Sequence, residues 1–123
     1  LTLDTVGRTS LMRKPYSKFH NVKTVVDGIM FDSKAEARRY QTLSLLEQAG
    51  DISDIRVQVR YDLKCNGVRL GFYKSDFEYN DKDGNHIVED VKGSRSMVTA
   101  VFRLKKRIVK AQYGVDIQEV YDS

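Results

Sequence analysis

A strictly alternating stretch, IRVQVRYDL at residues 55–63, constrains the fold of this chain more than any other feature. Its apolar side chains occupy every second position, and polar side chains stand between them: Ile55, Val57, Val59, Tyr61 and Leu63 against Arg56, Gln58, Arg60 and Asp62. Because successive side chains of a strand point to opposite faces, the pattern predicts one half-buried strand over 55–63. Asn66-Gly67 is a typical hairpin turn, and RLGFYKSDFEY predicts a second strand. HIVEDVKG predicts a third, after a turn at 81–85.

Two helical segments and two shorter elements complete the expected order. DSKAEARRYQTLSLLEQAG predicts a helix from about Ser33 to Ala49, with Gly50 at its C-terminal cap. A second helix is expected over 97–113, followed by a strand in VDIQEVY, and Asp27-Gly28 predicts a small hairpin before the first helix. The order helix, three strands in a meander, helix, strand favours an α/β fold, a sheet with a helix on each side.

The length of 123 residues suits one domain. We predict a basic N-terminal arm at 1–18 and a single domain at 19–123. Cys65 is the only cysteine, which excludes an internal disulfide and a zinc site of several thiolates, and fits a reducing compartment. No apolar run is long enough to span a bilayer and the start shows no secretory signal, so no membrane association is expected.

The formal net charge of +4 is unevenly distributed. Residues 93–113 contain six cations and no acid, and the first 26 residues contain five cations against one acid. Such segments are typical of proteins that bind a polyanion, whereas the alternative is a pair of solvated faces. The residues predicted to contact the polyanion are Arg95, Arg103, Lys105, Lys106, Arg107, Lys110, Lys14, Lys18 and Lys23.

Acidic residues concentrate in DFEYNDKDGNHIVEDVKG, residues 76–93, which ends with Asp90-Val91-Lys92-Gly93. Mg²⁺ is usually held by one or two protein carboxylates together with waters and substrate phosphate. Asp76 and Asp90 face each other if the numbers of paired residues add up to 166, as with an odd-membered loop centred on Asp83. A two-residue loop at Asp83-Gly84 would place Asp76 opposite Val91 instead, so a shared metal predicts the odd-membered loop or a bulge.

In that geometry Lys92 would stand beside the metal, where an ammonium group can orient or deprotonate a water or stabilise charge on phosphate. Glu36 of the first helix is a candidate third carboxylate, although Ser33 to Glu36 is also a capping box. Gln58 and Arg60 are candidates for the rim of the same pocket. Glu78 and Glu89 are expected to be peripheral, and His86 to be an ordinary surface or turn residue.

The ordered set of Glu36, Asp76, Asp90 and Lys92, followed by a basic helix, resembles the PD-(D/E)XK nuclease superfamily. The chain from about Phe19 to Val120 is similar to small nucleases of bacteriophages, prophages and related mobile elements. The proline of the superfamily motif is Ser75 here. The resemblance implies a restriction-endonuclease-like core with a mixed sheet flanked by helices.

The same resemblance implies an endonuclease that cuts or nicks DNA with Mg²⁺, or with Mn²⁺ in its place, in the cytoplasm of a bacterial host cell. Asp76 and Asp90 would be the metal ligands, Lys92 the catalytic lysine and Glu36 the helix-borne acid. Three alternatives stay open: an exposed salt-bridge cluster, a non-catalytic DNA-binding protein on a nuclease-like scaffold, and a dimeric Holliday-junction resolvase. The sequence shows no clear dimer surface, which favours a monomer or weak homodimer acting as a nickase.

Overall fold

The computed structural model of the protein describes residues 23–122. The predicted arm at 1–18, with Lys14 and Lys18, lies outside the described residues. Two α-helices and eight strands follow one another in this order: β1 (Thr24–Val26), β2 (Ile29–Phe31), α1 (Lys34–Gln48), β3 (Ile52–Val57), β4 (Arg60–Cys65), β5 (Val68–Lys74), β6 (Phe77–Asp81), β7 (His86–Lys92), α2 (Ala100–Tyr113) and β8 (Ile117–Tyr121).

A four-stranded mixed sheet with the order β3-β6-β7-β8 forms the centre of the fold. The β3-β6 and β6-β7 pairs are antiparallel, whereas β7 and β8 are parallel and are connected through α2. Two small hairpins, β1-β2 and β4-β5, stand apart from this sheet. The predicted α/β class is therefore confirmed, as a mixed sheet flanked by helices.

The two helices cover opposite faces of the sheet. On one face α1 packs with β1, β2 and β6 around a core of Phe31, Ala37, Leu43, Phe77 and Tyr79. On the other face α2 packs with β4, β5, β7 and β8 around Leu63, Tyr73, Val88, Phe102, Val109 and Ile117. Alternation along β7 connects both cores, because Ile87 packs into the first and Val88 into the second.

The first helix has the predicted bounds, but the second begins three residues later than predicted. Ser33 caps α1, its Oγ accepting from the Glu36 amide at 3.2 Å. Residues 95–97 form a single 3₁₀ turn, Val98 is extended, and Thr99 Oγ1 accepts from the Phe102 amide at 3.0 Å. The Thr99 cap therefore starts α2 at Ala100. Neither described helix is long and apolar enough to cross a bilayer.

Both predicted two-residue hairpin turns are present. Asp27 and Gly28 have φ of 52° and 77°, and Asn66 and Gly67 have φ of 50° and 78°. Two consecutive positive φ values are those of a type I′ turn, which Asn-Gly and Asp-Gly favour.

The predicted strand over 55–63 is wrong, because it breaks between β3 and β4. Gln58 adopts a positive φ of 54°, which ends the extended conformation despite the unbroken alternation. The second predicted strand bends at the same level, between β5 and β6, where the Ser75 amide donates to the Val59 carbonyl at 2.8 Å. The sequence predicts two long strands of a meander. In the structure each of them bends, so that β3 and β6 pair in the central sheet while β4 and β5 pair in a separate hairpin.

Candidate active site

The β6-β7 hairpin has the predicted register from Phe77 onward. Phe77 pairs with Glu89, and Glu78 pairs with Val88, so the numbers of paired residues add up to 166. The turn closes through the Asp81 amide, which donates to the Asn85 carbonyl at 2.9 Å. The predicted odd-membered loop centred on Asp83 is confirmed.

Asp76 lies at the bend just before β6, where both its amide and its carbonyl form backbone hydrogen bonds. Its amide donates to the Glu89 carbonyl at 3.0 Å, and its carbonyl accepts from the Gln58 amide at 3.1 Å. Asp76 and Phe77 therefore both face Glu89, as in a β-bulge. Asp76 Oδ2 accepts from the Val91 amide at 2.6 Å, which fixes the carboxylate across the hairpin.

Asp90 and Lys92 form a close pair on one face of β7. Lys92 Nζ lies 2.9 Å from Asp90 Oδ1, and the two side chains are 15% and 10% exposed. The buried Tyr73 hydroxyl donates to Asp90 Oδ2 at 2.8 Å, so both oxygens of this carboxylate are oriented. Lys92 Nζ also lies 3.8 Å from the centre of the Phe102 ring, a cation–π contact that fixes the ammonium group.

Glu36 lies close enough to Asp76 and Asp90 to interact with both. Burial, followed by the Glu36 and Asp90 carboxylates, raises the pKa of Asp76 to about 8. Burial also raises the pKa of Glu36, assisted by Asp32 and Asp90 and opposed by a hydrogen bond from Ser33. Glu36 therefore takes part in the N-terminal cap of α1 and also interacts electrostatically with Asp76 and Asp90.

Three carboxylates that oppose one another's ionisation fit a site for a cation. Among the described residues, no group of three or more His, Cys, Asp or Glu side chains is arranged so that it could hold a metal ion. Mg²⁺ does not need one, because it keeps several waters and takes oxygen ligands from substrate phosphate. Asp76 and Asp90 are the residues that could hold it, because hard carboxylate oxygens are the ligands that Mg²⁺ prefers.

The two residues predicted to form the rim of the pocket, Gln58 and Arg60, have different surroundings. Gln58 adjoins the site through its backbone bond to Asp76, while its side-chain Nε2 donates to the Met30 carbonyl at 3.4 Å. Arg60 lies on the exposed face of β4, with its guanidinium 4.2 Å from the centre of the Phe72 ring and Nε 3.3 Å from Asp62 Oδ1.

A family model described as "Protein of unknown function (DUF1064)" matches residues 16–121. The chain belongs to the DUF1064 family. No curated protein matches it. The DUF1064 match includes every residue of the candidate site, from Glu36 to Lys92, and its description assigns no chemistry to them.

The predicted DNA-contacting residues of this DUF1064 chain are spread over α2 and its approach. Arg103, Lys105, Lys106, Arg107 and Lys110 lie on α2, and Arg95 lies in the preceding turn with its guanidinium 4.4 Å from the Tyr121 ring centre. Three members of the predicted set already have acidic partners: Lys106 with Glu119 at 2.7 Å, Lys110 with Asp116 at 2.9 Å and Lys23 with Asp32 at 3.2 Å.

Glu78 and Glu89 are buried rather than exposed, and their partners lie outside the group of Asp76, Asp90 and Lys92. Glu78 is 1% exposed and accepts from the Tyr61 hydroxyl at 2.6 Å and the Ser75 hydroxyl at 3.0 Å. His86 Nε2 lies 2.7 Å from its other oxygen, so His86 is not an ordinary turn residue. The buried hydroxyl of Ser75 also accepts from the Val59 amide at 3.3 Å. This network fixes the bend that presents Asp76.

Glu89 faces the α1 side, away from Asp90, and forms a bidentate pair with Arg39. Arg39 Nε and Nη2 lie 2.9 Å and 2.6 Å from the two carboxylate oxygens, and the Tyr79 hydroxyl donates to the same group. The sequence signal was an arginine on the helix face that meets the sheet. Tyr73 carried a weaker signal: it belongs to the buried face of a strand that leads directly to Asp76.

Proposed function

We propose that the protein is a Mg²⁺-dependent DNA endonuclease with a restriction-endonuclease-like PD-(D/E)XK core, from a bacteriophage or another mobile element. The observation that carries the proposal is that Asp76 and Asp90 converge beside Lys92. Asp76 Oδ2 accepts from the Val91 amide at 2.6 Å, the Asp90 carboxylate helps to raise the pKa of Asp76, and Lys92 Nζ lies 2.9 Å from Asp90 Oδ1. An exposed salt-bridge cluster does not account for it, because Asp90 and Lys92 are largely buried and Asp76 has a raised pKa.

Each side chain of the site has a separate role in this reaction. Asp76 and Asp90 would hold Mg²⁺, which when bound supplies positive charge at the scissile phosphate. Lys92 orients the attacking water and stabilises negative charge that develops on the phosphate oxygens. Tyr73 donates to Asp90 and keeps that carboxylate in place, since burial and the nearby Asp90 charge raise the pKa of its hydroxyl.

Glu36 enters from the start of α1 as the third acid of the site. Its raised pKa and its closeness to Asp76 and Asp90 suit a residue that accepts a hydrogen bond from a water. One such site per chain cuts one strand, so the expected product is a nick made by a monomer or weak homodimer in the bacterial cytoplasm. Mn²⁺ should replace Mg²⁺, because it takes the same oxygen ligands.

Conversion of supercoiled plasmid to the open-circular form tests the proposal. Wild-type protein should nick the plasmid with Mg²⁺ or Mn²⁺ and not with EDTA. Asp90→Asn and Lys92→Met should each lower the rate by about 100-fold or more. Matched controls are Asp116→Asn and Lys82→Met, an exposed acid and an exposed lysine that each form an ion pair away from the site.

The proposal fails if wild type leaves several DNA forms intact with both metals, or if the Asp90 and Lys92 variants nick at the wild-type rate. DNA binding that is salt-dependent, unchanged by metal and by Asp90→Ala, and unaccompanied by cleavage would instead identify a non-catalytic DNA-binding protein.

A further inference from the structure

The β4-β5 hairpin carries two pairs of cations that face each other across its strands. Arg60 pairs with Lys74, and Lys64 pairs with Arg69. All four residues are exposed and lie on the outer face of the hairpin, because the alternating residues Tyr61, Leu63 and Tyr73 turn toward the α2 core. Like charges directly opposite one another destabilise a hairpin, so two such pairs on one short ribbon need a compensating partner.

Acids of the chain neutralise this face only in part. Asp62 lies between the two cation pairs and accepts from both Arg60 Nε and Arg69 Nε, each at 3.3 Å. Within residues 23–122, Lys64 and Lys74 have no carboxylate at ion-pair distance. The outer face therefore presents four cations against one acid, whereas Lys106 and Lys110 of α2 are each already paired.

An exposed aromatic ring organises the cations on this face. Phe72, which is 40% exposed and pairs with Asp62, has the Arg60 guanidinium 4.2 Å and the Arg69 guanidinium 6.0 Å from its ring centre. Lys105 Nζ of α2 lies 5.5 Å from the same centre and extends the surface to the helix. These contacts hold the side chains in place, which lowers the entropy lost when they bind a ligand.

We propose that this outer face, comprising Arg60, Lys64, Arg69, Lys74 and Lys105, binds the phosphate backbone of duplex DNA beside the cleavage site. The inference rests on the proposed function for the choice of polyanion. The two cation pairs lie four residues apart along β4, about 13 Å, a span that follows several phosphates of a duplex.

The position of the hairpin in the chain supports the same partner. Lys74 precedes Asp76 by two residues, so the strand that carries one side of the cationic face leads directly to the candidate site. A second copy of the chain is a poor occupant, since stacking two such faces would oppose like charges. A DNA duplex bound to this face would neutralise its cations and would lie beside the proposed cleavage site.

Fluorescence anisotropy with a short fluorescein-labelled duplex, in EDTA and over a series of KCl concentrations, tests this surface. Lys64→Ser/Arg69→Ser and Arg60→Ser/Lys74→Ser should each raise Kd on the order of ten-fold and lower the slope of log Kd against log[KCl] by about two. Thermal unfolding of Lys64→Ser/Arg69→Ser should occur at the wild-type temperature or above, since a repulsive pair is removed.

The matched control is Arg56→Ser/Lys82→Ser, which removes two exposed cations outside the hairpin. It should leave the slope at the wild-type value. The inference is overturned if the hairpin variants bind like wild type, or if the control variant loses as much affinity, which would show an effect of net charge alone. Plasmid nicking reports separately on the proposed function: active hairpin variants with unchanged affinity would refute the surface and leave the nuclease standing.

Discussion

Asp76 lies where its own burial and the Glu36 and Asp90 carboxylates all oppose its ionisation, and together they raise its pKa to about 8. The Val91 amide, which donates to Asp76 Oδ2, acts in the other direction without cancelling them. The residue types of this site were readable from the sequence as an ordered set of acids and a lysine. Their perturbation was not, because burial depends on how the bend at Ser75 packs.

Without metal, stability should depend on pH through Asp76. In the folded state its pKa is raised from the ordinary value of 3.8 to about 8, so between these pH values the folded protein holds a proton that the unfolded chain has lost. The stabilising contribution of protonated Asp76 is therefore fully present at low pH, and it is lost as the pH rises from 3.8 toward 8. Urea unfolding in EDTA should show a midpoint that declines over this range in wild type and declines much less in Asp76→Asn. Equal slopes for the two proteins would contradict the shift.

Arg39 should contribute far more to stability than its neighbour Arg38. Its partner Glu89 has a side chain only 3% exposed, so Arg39→Ala leaves a buried carboxylate without its cation and should cost about 3–5 kcal/mol. Arg38 pairs with Asp122 at the surface, where solvent screens the pair, and Arg38→Ala should cost far less than Arg39→Ala. Urea unfolding of both variants gives the comparison, and similar losses would show that the Glu89 pair is not a buried support.

At the scale of elements, the bends at Gln58 and Ser75 decide where the site forms. They divide each long predicted strand, send β4 and β5 over the α2 core, and leave Asp76 at the junction. The hydrophobic alternation correctly predicted a strand on each side of Gln58. It could not predict the break, because Gln58 adopts a positive φ and no neighbouring glycine or proline indicates it. The bounds of α1 were predictable because Ser33 and Gly50 mark both ends.

The start of α1 offers a test that separates the cap from the chemistry. Ser33→Ala removes the acceptor for the Glu36 amide and should cost about 1 kcal/mol in urea unfolding, with nicking unchanged. Glu36→Gln keeps that cap, and it should hold or raise stability above the ordinary carboxyl pKa of 4.5, because it removes a carboxylate whose pKa is raised in the folded state. It should also slow nicking. If Glu36→Gln nicks normally, Glu36 is only a helix cap.

At the scale of the whole molecule, the two faces of the mixed sheet carry different groups of polar residues, a buried ion pair on one face and most of the candidate site on the other. The α1 face carries the Arg39–Glu89 pair, and the α2 face carries Asp90, Lys92 and Tyr73. The α/β class and the order of the main elements were predictable from period and turn residues. The separation of the β4-β5 hairpin from the central sheet was not, since it follows from packing between segments distant in the chain.

The charge of the molecule follows the same separation. The sequence placed the DNA surface on α2, where the structure pairs Lys106 and Lys110 with acids. The opposed cations of the β4-β5 hairpin were invisible without its register, because Lys64 and Arg69 become neighbours only across the strands.

In the proposed site, Asp76 and Asp90 together hold a divalent cation beside Lys92. Electron paramagnetic resonance of free Mn²⁺ during titration with the protein tests it directly, because bound Mn²⁺ loses the sharp spectrum of the free ion. We expect wild type to bind a single Mn²⁺, more tightly above pH 8 than below, when Asp76 is ionised. Asp76→Asn and Asp90→Asn should each abolish that binding, and Asp116→Asn should not. Undiminished Mn²⁺ binding by the Asp76 and Asp90 variants would contradict the account.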